Sequence, residues 1–214
     1  MTPQPIVIVG AGGFGREVLD VIRAIDPAGN HWSFVGFVAD TEPESQVLER
    51  IEANWIGTVS NFLSNPMLGY FVIGIGDPKT RKQLAKLFTD VGMRPAKLIH
   101  PSSTIGADVE IGEGSVICSH VSITTNVRIG KHVHLNLNST VGHDTEIGHF
   151  VTINPLSAVS GDVKIEDEVT LGTNCAVIQG LTIETGATVG AGAVVVKKVD
   201  AHSTVVGVPA KPVG

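Results

Sequence analysis

The chain has 214 residues, which at about 150 residues per domain means one or two domains. Apolar types make up 43% and charged types 17%, which excludes disorder as a description of the whole chain. The formal net charge of −6 argues against a general nucleic-acid surface, which needs excess cation, and leaves room only for a local cationic pocket. No stretch approaches the roughly 20 apolar residues of a membrane span, and the opening MTPQPIVIVGAGG has no cationic region ahead of its apolar run. A soluble, cytoplasmic protein with no membrane partner is expected. Cys118 and Cys175 are too few for a disulfide framework, and a reducing compartment is the simpler reading of the pair. Glycine is abundant at 25 residues while aromatic types are only 5%, so repetitive, close-packed backbone is expected in place of one thick core.

Residues 5–9 read as an apolar strand, followed by Gly10-Ala11-Gly12-Gly13-Phe14-Gly15 and a helix over 16–25 with Val18, Leu19 and Ile22 on one face. A second strand over 33–38 ends at Asp40, and a third over 70–75 leads into Gly76-Asp77-Pro78. A helix then begins near residue 79, with Leu84, Leu87, Phe88 and Val91 spaced for one apolar face. The alternation of strand and helix predicts a small α/β, parallel, Rossmann-like unit over 1–98, with 95–101 as connector. Its glycines let backbone N–H groups approach an anion at a helix N-terminus. A nucleotide diphosphate, a dinucleotide and a purely structural tight turn all fit that pattern, although about 90 residues hold one mononucleotide half and a dinucleotide fold needs two. Asp40, at a strand end, is either an acceptor for a base or ribose donor or a solvated loop charge.

From Ile105 the sequence repeats with a period of six: Ile105, Ile111, Ile117, Ile123, Ile129 and Leu135 open a series that runs unbroken to Val195, aliphatic at each step. The next residue is often glycine (Gly106, Gly112, Gly130, Gly142, Gly148, Gly172, Gly190), and a second small or apolar column includes Val109, Val121, Val127 and Val133. Each hexad is one short strand plus one turn, and three hexads make a triangular coil. The pattern predicts a parallel β-helix over 99–214 with five coils, its glycines relieving tight corners.

The hexads resemble those of the hexapeptide-repeat acyltransferases, a likeness that implies a left-handed parallel β-helix and a homotrimer. Taken with VIVGAGGFGREVLDVI, FVGFVAD, FVIGIGDPKTRKQLAK, NLNSTVGHDTEIGHF and VVGVPAK, nearly the whole chain resembles the branch that holds the sialic-acid O-acyltransferases and the UDP-N-acetylbacillosamine N-acetyltransferases. The resemblance implies acetyl transfer from acetyl-CoA, as co-substrate and without a metal, to an amino group of a nucleotide-linked sugar, the 4-amino group being expected.

Such a transfer needs a base for the attacking amine or hydroxyl and donors for the oxyanion. His143 stands at an outward hexad position and Asp144 follows it. The resemblance makes Val141-Gly142-His143-Asp144 the base motif, with His143 as general base and Asp144 as its orienting partner. Consecutive side chains on a strand diverge, so a contact through backbone or across subunits stays open. The resemblance also matches Gly12, Gly13, Phe14, Asp40, Ile75, Gly76, Asp77 and Asn136 to the sugar-nucleotide side. It matches Thr152, Gly161, Thr173 and Ala191 to acetyl-CoA, in a groove between adjacent prisms. Phe14 replaces a histidine of some relatives and cannot donate a hydrogen bond, and Thr152 stands where a histidine is common. Lys197, Lys198 and Lys211 are either CoA-phosphate contacts or solvated surface charges. Other readings are a sugar O-acetyltransferase, a metal-dependent hydratase of the γ-carbonic-anhydrase type using His120, His143 and His149, and a non-catalytic nucleotide-sugar sensor or scaffold.

Overall fold

The structure is a computed structural model and describes residues 2–213. The chain divides into two compact units, residues 1–98 and 99–214. None of the described helices is long and apolar enough to cross a membrane.

The first unit is a four-stranded parallel sheet in the order β2-β1-β3-β4, built from β1 (Gln4–Val9), β2 (Trp32–Val38), β3 (Tyr70–Ile73) and β4 (Arg94–Pro95). Its apolar runs, Ile6 to Val9 and Phe71 to Ile73, are almost wholly buried, as expected for parallel strands covered on both faces. Helix α1 (Gly13–Ile25) buries Val18, Leu19 and Ile22 as the periodicity predicts, and Val21 with them. It starts three residues earlier than expected, because Gly12, in extended conformation, is already its N-cap.

Helix α4 (Pro78–Asp90) departs from its predicted face. It buries Arg81, Ala85 and Phe88, whereas Leu84 is half-buried and Leu87 is 44% exposed. The leucine spacing is real, but it marks the wall of a cleft and not the core. Two short helices, α2 (Ser45–Arg50) and α3 (Val59–Ser64), have no counterpart in the sequence reading. Each is six residues long, too short to display a helical repeat.

The second unit is a parallel β-helix with three faces. The first face stacks six strands, from Thr104–Ile105 through Thr140–Val141 to Val194–Val195. The second stacks five, from Val109–Ile111 to Thr182–Ile183, and the third eight, from Leu98–Ile99 to Lys211–Pro212. Partners lie one coil apart, as in Thr140↔Ala158 and Val141↔Val159, so the aliphatic columns stack directly. Ile117, Leu135, Val141, Ile153 and Leu171 are at most 0% exposed in those columns. The count is about six coils, not five. Leu98–Ile99, placed in the predicted connector, already forms a rung, and Thr204–Val206 adds another beyond Val195.

Gly114, Gly180, Gly186 and Gly192 take positive φ at the corners as expected, whereas the glycines that follow the aliphatic column play a different part. At Gly106, Gly112, Gly142 and Gly172 a Cβ would collide with backbone of the next coil, so these positions serve close stacking. The corner strain lies two residues later, where φ is positive at every sixth residue. Asp108, His120, Asn126, His132, Asn138, Asp144, Asp162 and Asn174 carry it, at φ 55–60°. Asn and Asp tolerate that region better than other side chains do. The second inward column also holds buried hydroxyls, which the hydrophobic pattern does not reveal. Ser115 donates to Gly130 O, Thr145 to Ser160 O and Ser157 to Gly172 O, and each satisfies a carbonyl of the neighbouring coil.

Candidate functional site

In the first unit, a cleft of about 800 Å³ opens at the carboxyl ends of β1, β2 and β3. The strand order reverses between β1 and β3, and ligands of open α/β sheets bind at that switch point. Gly10, with φ +101°, turns the chain out of β1. A Cβ on Gly15 would run into the carbonyl oxygen of Gly10, so Gly15 lets α1 sit directly against the strand end. Gly12 and Gly13 have open space where a Cβ would stand. The four glycines therefore divide into a structural pair, Gly10 and Gly15, and a pair that leaves the helix N-terminus bare.

Of the residues predicted for the nucleotide side, Gly12, Asp40 and Ile75 line the cleft, while Gly13, Phe14, Gly76 and Asp77 lie off its lining. One oxygen of Asp40 accepts from the Val59 N–H at 2.9 Å, which ties the carboxylate to the start of α3. Asp77 is the N-cap of α4. It accepts from Thr80 N–H at 2.7 Å, and hydrogen bonding from the Thr80 side chain first, and from this N–H second, holds its carboxyl below the usual range. Sequence reasoning missed Arg16, Leu84 and Leu87, which also line the cleft, the first as a cation near the bare amides. It also missed Arg81. That side chain is fully buried, and its guanidinium donates to Ile75 O and Gly76 O, both at 2.9 Å. Burial pushes it down to about 9, with Asp77 pulling the other way. Arg81 fixes the loop after β3 from beneath, and no pattern of apolar residues signals it.

In the second unit, His143 and Asp144 lie on the corner that follows the first face. Asp144 takes φ +60°, which turns its side chain back toward its neighbour. The open question of the contact is settled by that turn: Nδ1 of His143 lies 2.6 Å from Asp144 Oδ2, directly and within one chain. An ionised carboxylate only accepts, so Nδ1–H donates, and in the neutral ring Nε2 keeps its lone pair. The other oxygen of Asp144 accepts from Asn126 Nδ2 at 2.5 Å. That bond first, and the His143 contact second, hold the Asp144 carboxyl below its ordinary range. The imidazole is 63% exposed in its side chain and lies over Gly161, where a Cβ would come within 2.6 Å of Nε2.

Residues 5–88 match the model of the PglD N-terminal domain, and residues 162–197 match that of the hexapeptide repeat of succinyl-transferase. The acetyltransferase domain of PglB from Neisseria gonorrhoeae FA1090 is 30% identical, with 98% of this chain and 100% of that chain covered and a TM-score of 0.88. PerB from Caulobacter crescentus, solved in complex with CoA and GDP-perosamine, is also 30% identical, with 98% and 97% covered and a TM-score of 0.88. The chain belongs to the hexapeptide-repeat sugar acyltransferase family. A curated relative, GDP-perosamine N-acetyltransferase of Escherichia coli O157:H7, is 36% identical over 124 residues, which is 56% of this chain and about half (53%) of the relative.

The remaining residues that the family resemblance singles out are dispersed over one prism. Asn136 is 6% exposed, and its amide donates to Asn154 Oδ1 at 3.4 Å in a ladder that continues to Leu171 O. Thr152 is 3% exposed on the third face. Thr173 and Ala191 are exposed on the corner after the third face, whereas Gly161 shares the His143 corner. Within one chain, the residues that the resemblance singles out thus occupy both corners that bound the first face. His120, His143 and His149 stand on three different corners. Among the described residues no three His, Cys, Asp or Glu side chains gather where they could hold a metal ion.

Proposed function

We propose that this protein transfers the acetyl group of acetyl-CoA to the amino group of a nucleotide-linked sugar, with the 4-amino group as acceptor. The single observation that carries the reading is the His143–Asp144 pair, 2.6 Å apart, on an imidazole whose side chain is 63% exposed. The amine attacks the thioester carbonyl, and a C–N bond forms. Nε2 takes the proton that the nitrogen sheds, the C–S bond breaks, and the proton passes to the departing thiolate to give free CoA. Asp144 holds the ring and stabilises the transient imidazolium. The nucleotide occupies the cleft of the first unit, its phosphates near Gly12 and Arg16. The names of the relatives favour an amine over a hydroxyl acceptor.

The working form is a homotrimer. The outward positions of the first face, Ser122, Thr140, Ala158, Ala176 and Val194, are small and uncharged, while four of the five on the second, Glu110, Arg128, Glu146 and Lys164, are charged, Thr182 being the exception. Three copies packed on the first face set the His143 corner of one chain against the Thr173–Ala191 corner of the next, which completes the acetyl-CoA groove. The activity is tested with acetyl-CoA and a panel of UDP-, dTDP- and GDP-linked amino sugars, by following thiol release and confirming the amide by mass spectrometry. One nucleotide series turns over, and His143→Ala lowers kcat by about 10²–10⁴-fold. Activity of His143→Ala within about threefold of the unaltered enzyme removes the base, and no turnover with any acceptor removes the transferase.

A further inference from the structure

The corner that carries His143 recurs every 18 residues. Its left-handed position is filled in turn by Asp108, Asn126, Asp144 and Asp162, at φ 55°, 57°, 60° and 56°, and then by Gly180. This is a column of carboxylates interrupted by one amide. Arg128 meets Asp108 at 2.9 Å and approaches Glu110 at 3.7 Å, so the lowest carboxylate has its own cation. Asn126 stands next, and its Nδ2 donates to Asp144 Oδ1 at 2.5 Å. Asp144 then receives the His143 ring on its other oxygen at 2.6 Å. Above, the Asp162 N–H donates to His143 O at 2.7 Å, which ties the backbone of the base to the following coil.

The side chain of Asp144 is 51% exposed, so packing does not hold its carboxylate in place. A carboxylate swings freely about its last torsion unless something anchors an oxygen. Asn126 supplies that anchor, and an amide is suited to the post: it has nearly the shape of a carboxylate, carries no charge, and donates where a carboxylate only accepts. We propose that Asn126 is a positioning residue for acyl transfer, clamping one oxygen of Asp144 from the coil below so that the other fixes the His143 ring with Nε2 free. The inference rests on the reading of His143 as base, and it goes beyond that reading by assigning a role to a residue one full coil away.

Asparagine also suits a positive φ for purely local reasons, and the test separates the two roles. Glycine and aspartate both tolerate φ near +57°, so Asn126→Gly and Asn126→Asp preserve the corner. The readouts are kcat, the KM of each substrate, the pH profile and the melting temperature. Asn126→Gly lowers kcat by about 10-fold, with both KM values within about twofold. Asn126→Asp loses at least as much, because a carboxylate now faces Asp144 and Asp108. The acid limb of its kcat profile moves to higher pH, since added negative charge near His143 favours the protonated ring. The proposal is overturned if both variants keep kcat within about twofold and an unmoved acid limb. It is equally overturned if the loss appears in KM and melting temperature with the pH profile unchanged. Failure of the base itself reads out separately: His143→Ala stays active. If His143→Ala is dead and Asn126→Gly is normal, only Asn126 loses its role.

Discussion

His143 is placed by three neighbours that act on different atoms. Asp144 takes Nδ1, the backbone of the next coil takes the carbonyl, and Gly161 gives the ring a flat surface to lie on. The last contact yields a sharp expectation. A methyl group at position 161 would sit 2.6 Å from both Cε1 and Nε2 and displace an exposed ring that is free to swing outward. Gly161→Ala therefore lowers kcat by about 10–100-fold while the melting temperature stays close to that of the unaltered protein. Calorimetry beside the thiol assay checks both halves. Asp144 brings a pH consequence of fixed sign. Its folded-state carboxyl lies below the ordinary range, so the His143 contact persists through neutral pH and is lost as pH falls through that lowered value. The His143–Asp144 pair proposed as the base motif occupies neighbouring letters, which the family resemblance singles out. Asn126 and Gly161 show no link to it in the letters, because each meets the pair only after the chain has gone once round the prism. No local motif contains residues 18 apart.

The elements divide along similar lines. The G-x-G-x-x-G run is legible as strand, turn and helix, yet the letters alone do not say which glycine serves which purpose. The structure predicts opposite outcomes for two of them. Gly12→Val extends into open space at the helix N-terminus on the cleft wall, so it folds, raises the KM for the sugar nucleotide and leaves that for acetyl-CoA unchanged. Gly15→Ala drives a methyl group into the Gly10 carbonyl and lowers stability by about 1–3 kcal/mol or more, measured by denaturant titration. Helix α4 forms where expected, but its buried face differs from the expected one for a physical reason. Its leucines line a cleft, and its buried stripe contains a charged residue, Arg81, in place of an apolar one. Hydrophobic periodicity finds helices that bury hydrocarbon and fails where a guanidinium is the buried anchor. Arg81→Met should cost the carbonyls of Ile75 and Gly76 their donor and lower stability by about 1–3 kcal/mol.

At the scale of the molecule, the β-helix was the most legible part, because a solenoid writes its geometry as a period and each coil contacts only its neighbours. What the period could not reveal was its C-terminal end, where Val205 pairs with Val189 off the six-residue step; Ile99, one step before Ile105, keeps the phase although it falls in the expected connector. Leu135→Ala, in mid-stack, removes about 2–5 kcal/mol, a value accessible by urea titration. Assembly is read by light scattering: the chain of 22.4 kDa elutes as three copies, and Ala176→Glu on the uncharged face shifts it toward the monomer. A parallel stack of this kind has an inherent hazard, since its last rung offers a row of amide groups to any similar rung that drifts by. Here Thr204–Val206 is followed by a strand that runs the opposite way, Lys211–Pro212, and lies along that rung. Its proline has no N–H and its lysine carries charge, two features that discourage further strands from joining. On the third face, the backbone that builds the stack by accretion thus also ends it with a strand ill-suited to receive another.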